Sequence, residues 1–532
     1  MSLLYWTDFA IAVLPAGLMV LALFCAAIRK TPVAAVWKRF NVLAVAALVL
    51  TLVELVGHLT IAPSYDQFTA WHDLWLAPNL FGVWVSVLVQ LLGAAIGLFS
   101  SRHLQGEPRQ RVYIAALAGV LAAVHFLLLA NHWVVLILAW AAIGQAMHYL
   151  LCFYPERPFA LLAAHKKRVT DRVVDLLLIA AAGLAWSQVG SGSLSALWRY
   201  IAAGHTSIEL ELSGVCLALA VIGRTALMPV HGWLVQVMEA PTPVSALLHA
   251  GVVNLGGYVL VFFAPLLGVA LPARWLLVVF GLVSAVVAGL VLLTRVSQKV
   301  HLAWSTIAQM GFMLLECGLG LYLLAALHLL GHSLYKAHNF LAASSAVKDC
   351  KRRIMTGHVA NSWWSMVAAV PVAIALVVAI QFLAGNHAWP WWWSGVLALA
   401  WAPLLWVPAP STGRAGVVRA RLITALCTAI FLTVAACVVD HAPLGAGEDP
   451  LDAAGILALI GMAGMYLEMV AFQLWPAALV TLRRWVYAGF YMDEGYTHWV
   501  LVLWPTRWTG LARGRAMRVN ARGAAAVSAS RP

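Results

Sequence analysis

"GRTALMPVHGWLVQVMEAPTPVSALLHAG", residues 223–251, is the stretch on which the fold turns. It is apolar enough to lie in a membrane, yet it carries Pro229, Pro241 and Pro243. A proline removes a backbone donor and crowds the preceding turn, so a helix through this stretch must break. Broken helices persist at membrane depth where the freed backbone is buried in protein or lines a water-filled cavity. Arg224 and His231 flank the first break, and His249 follows the second. Arginine keeps its proton, so Arg224 is a fixed positive charge that biases its neighbours.

The rest of the chain has the same apolar character. Of 532 residues, 63% are hydrophobic and 10% are charged. Soluble domains carry about 25% charged residues, which excludes an ordinary water-facing surface. Apolar runs of membrane-crossing length recur from end to end, about fifteen in all. The expected fold class is an all-α polytopic membrane protein with about 13–15 transmembrane helices. The first run, at the N-terminus, reads as an uncleaved helix. The seven cysteines show no CxxC pair, so neither a disulfide nor a cysteine-held metal is expected.

A net charge of +13 could point to nucleic acid, but the charges fall in short clusters between apolar runs. Arg29/Lys30/Lys38/Arg39, Arg102/Arg109/Arg111, Lys166/Lys167/Arg168, Lys348/Lys351/Arg352/Arg353, Arg414/Arg419/Arg421 and Arg483/Arg484 all fall on one side if fifteen segments cross. The alternate loops, such as "PSYDQFTAWHD" and "DHAPLGAGEDP", are poor in basic residues. The positive-inside rule then places the N-terminus outside and the C-terminus in the cytoplasm. No nucleic-acid partner is expected; the surroundings are membrane lipids.

An ionisable group at the bilayer centre costs about 2.5–3.5 kcal/mol on insertion scales, so each one retained there asks for a partner, a cavity or an ion route. "LHLLGHSLYKAHNFL", residues 327–341, is the densest case. His328, His332 and Lys336 are spaced i, i+4, i+8 and stack along one helix face. Histidine and a desolvated lysine are side chains able to exchange protons near neutral pH. That face reads as part of a proton relay; a buried structural network of histidines bonded to carbonyls is the alternative. Candidate pathway residues are Lys336, His332, His328, Lys299, His249, His231, Arg224, Asp175 and Glu54. Glu54 could pair with His58 one turn on, and either Asp175 or Glu54 could be the counter-ion of Arg224.

At these residues the chain resembles a known family. Residues 223–251, "SQKVHLAWSTIAQMGFM", "LHLLGHSLYKAHNFLAASSAV" and "DRVVDLLL" are similar to the proton-conducting antiporter-like subunits of respiratory complex I and Mrp-type antiporters. "GFYMDEGYTHWVLVLWP", residues 489–505, resembles a C-terminal element of the largest such subunits. The resemblance implies an antiporter-like fold with inverted repeats and broken helices. It divides the chain into N-terminal helices (1–111), a first repeat (112–265), a second repeat (271–409), C-terminal helices with an amphipathic segment (410–510) and a disordered basic tail (511–532). Carried over by position, the family's proton-path roles fall on Asp175, Arg224, His249, Lys299, His328, His332 and Lys336.

The departures are informative. Where the family's fifth helix carries a glutamate this chain has Ala141, and the seventh-helix lysine is replaced by Arg224, which cannot shuttle a proton. "WSMVAAVPVAIALVVAIQFLA" lacks the family's later lysine. These features are most similar to one branch, the membrane subunits of DAB-type inorganic carbon accumulation complexes. For that branch the resemblance implies a large soluble partner like a zinc beta-type carbonic anhydrase. A proton or sodium gradient would drive its hydration of carbon dioxide to bicarbonate in the bacterial inner membrane. Zinc is expected in that partner and no cofactor in this chain. The alternatives are a subunit of a complex I-type, membrane-hydrogenase or Mrp-type energy converter, and a non-conducting membrane anchor.

Overall fold

The computed structural model describes residues 2–60, 74–342, 361–385, 389–407, 415–439 and 447–506. The predicted basic tail, the Lys348–Arg353 cluster and the loop at 63–73 lie outside the described residues. Within the described residues the fifteen apolar runs are mainly helical, and the run at 208–235 is interrupted after Arg224. Those used below are α1 (Ser2–Ala27), α2 (Val33–Thr60), α3 (Leu80–His103), α4 (Gln110–Leu128), α5 (Trp133–Leu151), α6 (Pro158–Val189), α7 (Ile208–Arg224), α8 (Thr242–Ala250), α9 (Leu255–Phe262), α10 (Leu271–Leu293), α11 (Gln298–Leu319) and α12 (Tyr322–Leu341). They are followed by α13 (Trp363–Leu383), α14 (Trp391–Trp401), α15 (Ala415–Val439), α16 (Asp452–Leu474), α17 (Val480–Tyr487) and α18 (Met492–Leu503).

Among the described residues, eleven helical stretches are long and apolar enough to cross a membrane. The runs that fall short include α6, α7 and α12. These three carry Lys167, Asp171, Asp175, Arg224, His328, His332 and Lys336. The helices that look least like spans are therefore the ones that hold the ionisable interior.

The first break follows the proline reading. Helix α7 stops at Arg224, residues 225–231 are irregular, and a single turn, Gly232–Gln236, leads into a tighter turn, Val237–Glu239. Ala226 sits in the left-handed region at φ 55, a conformation that a β-carbon disfavours. The freed backbone is satisfied from within the protein: Met228 N donates to Ser284 Oγ on α10 at 3.1 Å, and both groups are buried. A second interruption at Gly251–Asn254 separates α8 from α9. Pro371, by contrast, lies inside α13 without ending it.

Helices α10 and α11 approach closely because glycines line their contact. A β-carbon at Gly281 would meet Gly311 O at 2.7 Å, and one at Gly318 would meet Arg274 O at 2.8 Å. Small residues at such seams let backbones pack without a hydrophobic driving force between helices in lipid. This seam positions α11, which carries the groups that hold Lys336.

The basic loops gather at one end of the bundle. Arg111 Nη1 donates to Ile28 O (2.9 Å), Arg109 Nη1 to Cys152 O (2.9 Å) and Arg157 Nη1 to Glu239 O (2.8 Å). At the other end, Asn131 Nδ2 donates to Leu74 O (2.9 Å) and Leu194 N to Asn131 O (2.9 Å).

Candidate functional site: two buried polar clusters

The first cluster joins α6 to the end of α7. Arg224 Nη1 lies 2.5 Å from Asp171 Oδ1, and Arg224 Nη2 lies 3.2 Å from Asp175 Oδ1. Lys167 Nζ donates to Asp171 Oδ2 at 2.5 Å, and Arg172 pairs with Asp175 at 3.2 Å. The guanidinium also sits 5.4 Å above the Trp140 ring. The result is a closed chain of alternating charges, Lys167–Asp171–Arg224–Asp175–Arg172. Charges removed from water need opposite charges in contact, and each buried charge here has one.

This geometry decides between the two proposed counter-ions. Asp175 does pair with Arg224, but the shorter contact comes from Asp171, which the sequence reading passed over. Its signal was present: Asp171 and Asp175 are spaced i, i+4 and share a helix face. Glu54 is not in this cluster. It borders a small cavity with Asn79, Ser86 and His125, and His58 Nδ1 meets the backbone carbonyl of Glu54 at 3.0 Å. Ala141 and Gly144 of α5 line the cavity beside Asp171 and Asp175. A β-carbon at Gly144 would lie 2.9 Å from Asp171 Oδ2 and 3.3 Å from Arg224 Nη1. The carboxylates therefore come from α6, and α5 is kept small to admit them.

The second cluster joins α8, α11 and α12. Lys336 is wholly buried; its Nζ donates to Ser305 Oγ (2.7 Å) and Leu302 O (3.1 Å). Among the described residues it has no carboxylate partner. His332, one turn away, and His249 of α8 are both buried, and among the described residues neither has a hydrogen-bond partner on either ring nitrogen. The His249 ring stacks on Phe340 at 4.7 Å. His328 and His332 have ring centroids 6.1 Å apart. His328 Nδ1 meets Glu316 Oε2 at 2.8 Å, and its Nε2 meets Gln309 Oε1 at 2.9 Å. Ser333, on the same helix, accepts from Asn254 Nδ2 at 2.6 Å in the α8–α9 interruption. The sequence-read face is thus assembled as a row from Glu316 through His328 and His332 to Lys336 and His249.

Besides Glu54, two candidates lie apart from both clusters. Lys299, in the first turn of α11, has Arg157 and Glu239 as charged neighbours. His231 is buried in the first break, with its ring 5.0 Å from Trp304. A further buried charge, Arg274, was missed; it pairs with Asp449 at 2.8 Å and donates to Gly318 O at 3.1 Å, holding a loop to the end of α11. Among the described residues no group of three or more His, Cys, Asp or Glu side chains is placed to hold a metal ion.

Comparison with known proteins adds the lineage. Residues 130–397 match the family model described as NADH:quinone oxidoreductase/Mrp antiporter, transmembrane. That match spans α5 to α14 and includes both clusters. The chain belongs to this family. Within it, the chain falls in the DabB branch. It is 36% identical over 457 residues to the probable inorganic carbon transporter subunit DabB of Hydrogenovibrio crunogenus, covering 81% of this chain and 86% of that one. It is 44% identical over 259 residues to the probable subunit DabB2 of Halothiobacillus neapolitanus, covering 48% and 47%. A chain in the structure of the Mrp complex from Dietzia sp. DQ12-45-1b superposes with a TM-score of 0.57 at 21% identity, over 99% of this chain and 63% of that one. At that identity the likeness establishes the antiporter-like fold. The family member described here is a multi-pass membrane protein.

Proposed function

We propose that the chain is the cation-conducting membrane subunit of an inorganic carbon accumulation complex in a bacterial inner membrane, with its N-terminus outside. Protons are the favoured ion. The observation that supports this reading is Lys336: among the described residues, a buried lysine without a carboxylate, near two buried histidines that have no hydrogen-bond partners. Groups left in that condition are costly unless water or a moving proton visits them.

In this reading a proton passes along Glu316, His328 and His332 to Lys336 and His249. Each imidazole accepts at one nitrogen and releases from the other, and Ser305 holds the Lys336 amine in place. Arg224 holds its proton and its two aspartates, so the first cluster orders the helix break without relaying. The hydration of carbon dioxide and the zinc that supports it belong to a soluble carbonic-anhydrase-like partner, which the ion gradient drives. The DabB-named relatives support the inorganic carbon assignment.

The test is to express the chain with its partner and measure bicarbonate accumulation. A Lys336→Ala complex should assemble and lose accumulation, and a protonophore should abolish it in the wild type. Normal accumulation by an assembled Lys336→Ala complex would overturn the reading.

A further inference from the structure

We infer that Asp493, carried by the C-terminal segment, forms with Lys166 and His231 a protonatable station at the first helix break, so that this segment is part of the ion route. The inference rests on the conducting role proposed above.

The station is built from three distant parts of the chain. Lys166 of α6 has a wholly buried side chain, and its ammonium pairs with Asp493 of α18 and donates to Thr497 Oγ1 at 2.8 Å. The second carboxylate oxygen of Asp493 accepts from Gln236 Nε2, in the turn after the break, at 3.0 Å. Gly232, at the start of that turn, has no room for a side chain, because a β-carbon there would overlap the Asp493 carboxylate. The carboxylate is thus sunk into the break.

The segment is held in register around it. Tyr496 Oη donates to Lys166 O at 3.1 Å and meets Thr170 Oγ1 at 2.5 Å. Arg295 lies between the rings of Trp304 (5.2 Å) and Tyr487 (5.4 Å). Just ahead of α18, Gly489, Phe490 and Tyr491 all have left-handed backbones, at φ 64, 56 and 55. Two of the three are not glycine, a local cost that tertiary contacts must offset. The turn it produces delivers Asp493 to Lys166.

A latch alone does not require these groups. A buried ion pair is about neutral in stability against well-packed apolar residues, so its presence is weak evidence for a purely structural role. The independent observation is His231. It is wholly buried in the break beside the Pro229 carbonyl; among the described residues neither ring nitrogen has a side-chain partner, and its charged neighbours are Asp493 and Lys166. Its ring lies 5.0 Å from that of Trp304, and the adjacent Ser305 holds Lys336. His231 therefore packs on α11 at the residue next in sequence to Ser305, which makes the Lys336 contact.

The step is a proton transfer and balances as one. A proton bound by His231 makes an imidazolium, and the Asp493 carboxylate is then shared between it and Lys166. When the proton leaves toward Lys336, Asp493 returns wholly to Lys166 and the charge on the station is restored.

The experiment reads proton flux into proteoliposomes holding the complete complex under an imposed gradient. Lys336→Ala is the control for the parent reading. His231→Gln, which leaves the Asp493–Lys166 latch untouched, should lower flux at least tenfold in an assembled complex. Asp493→Asn should do the same, and Asp493→Glu should restore at least a third of the wild-type flux. The Lys166→Met/Asp493→Asn double variant removes both charges; it should assemble without recovering flux. Wild-type flux in His231→Gln, or in the assembled double variant, overturns the station and leaves a latch, provided that Lys336→Ala is inactive. Wild-type flux in Lys336→Ala instead overturns the conducting role itself.

Discussion

The two buried clusters hold similar residue types in opposite conditions. Around Arg224 every charge meets an opposite charge, in a chain from Lys167 to Arg172. Around Lys336 there is one cation with a hydroxyl and a carbonyl, and two imidazoles that, among the described residues, have no hydrogen-bond partner on either nitrogen. A closed network resists any change in protonation, because each change leaves another buried charge uncompensated. An open one can accept and release a proton without breaking an ion pair. The difference implies that one half of the molecule is set for order and the other for exchange.

Five substitutions break or sharpen that contrast. Arg224→Met should have the largest effect on stability: it leaves Asp171 and Asp175 buried with a shortage of positive charge, a loss of about 3–5 kcal/mol. Thermal unfolding of the purified complex, or its failure to assemble, is the readout. Gly144→Ala pushes a methyl group against Asp171 and Arg224 and should lose about 1–3 kcal/mol in the same assay. If Gly144→Ala unfolds with the wild type, the cluster is looser than its distances imply.

Asp175→Asn should lose less than Arg224→Met, about 1 kcal/mol, because Arg224 keeps its closer partner Asp171 while Asp175 shares its charge with the exposed Arg172. Comparing Asp171→Asn with it gives the sharper test, and Asp171→Asn should be the more damaging of the two in thermal unfolding. Lys336→Met should change stability least, within about 1 kcal/mol, since no carboxylate is orphaned. The same variant should lose bicarbonate accumulation. A large destabilisation in Lys336→Met would show that the two clusters are alike after all.

Much of this was legible in the chain. Pro229 placed the first break, Pro241 and Pro243 fall at the start of α8 and not at the second interruption, and 3.6-residue periodicity put His328, His332 and Lys336 on one face. Sequence reading went wrong where the choice depended on a neighbour in space. Glu54 and Asp175 were equal candidates for Arg224 until the packing of α6 against α7 selected α6 and brought Asp171 closest. Lys166 and Lys167 are adjacent in sequence, yet one reaches the C-terminal segment and the other Asp171. No local pattern assigns them, because consecutive helical residues point about 100° apart and the direction of each partner is set elsewhere.

By itself the sequence determined that this protein lives in a membrane, where its main helix breaks, and which ionisable groups it carries into the apolar interior. Those are consequences of composition and of local steric rules, which act over a few residues. Only the tertiary structure decided which of those groups are neutralised and which are left open. Ion pairing needs contact within about 4 Å, and Asp493 meets a Lys166 that lies 327 positions away in the chain.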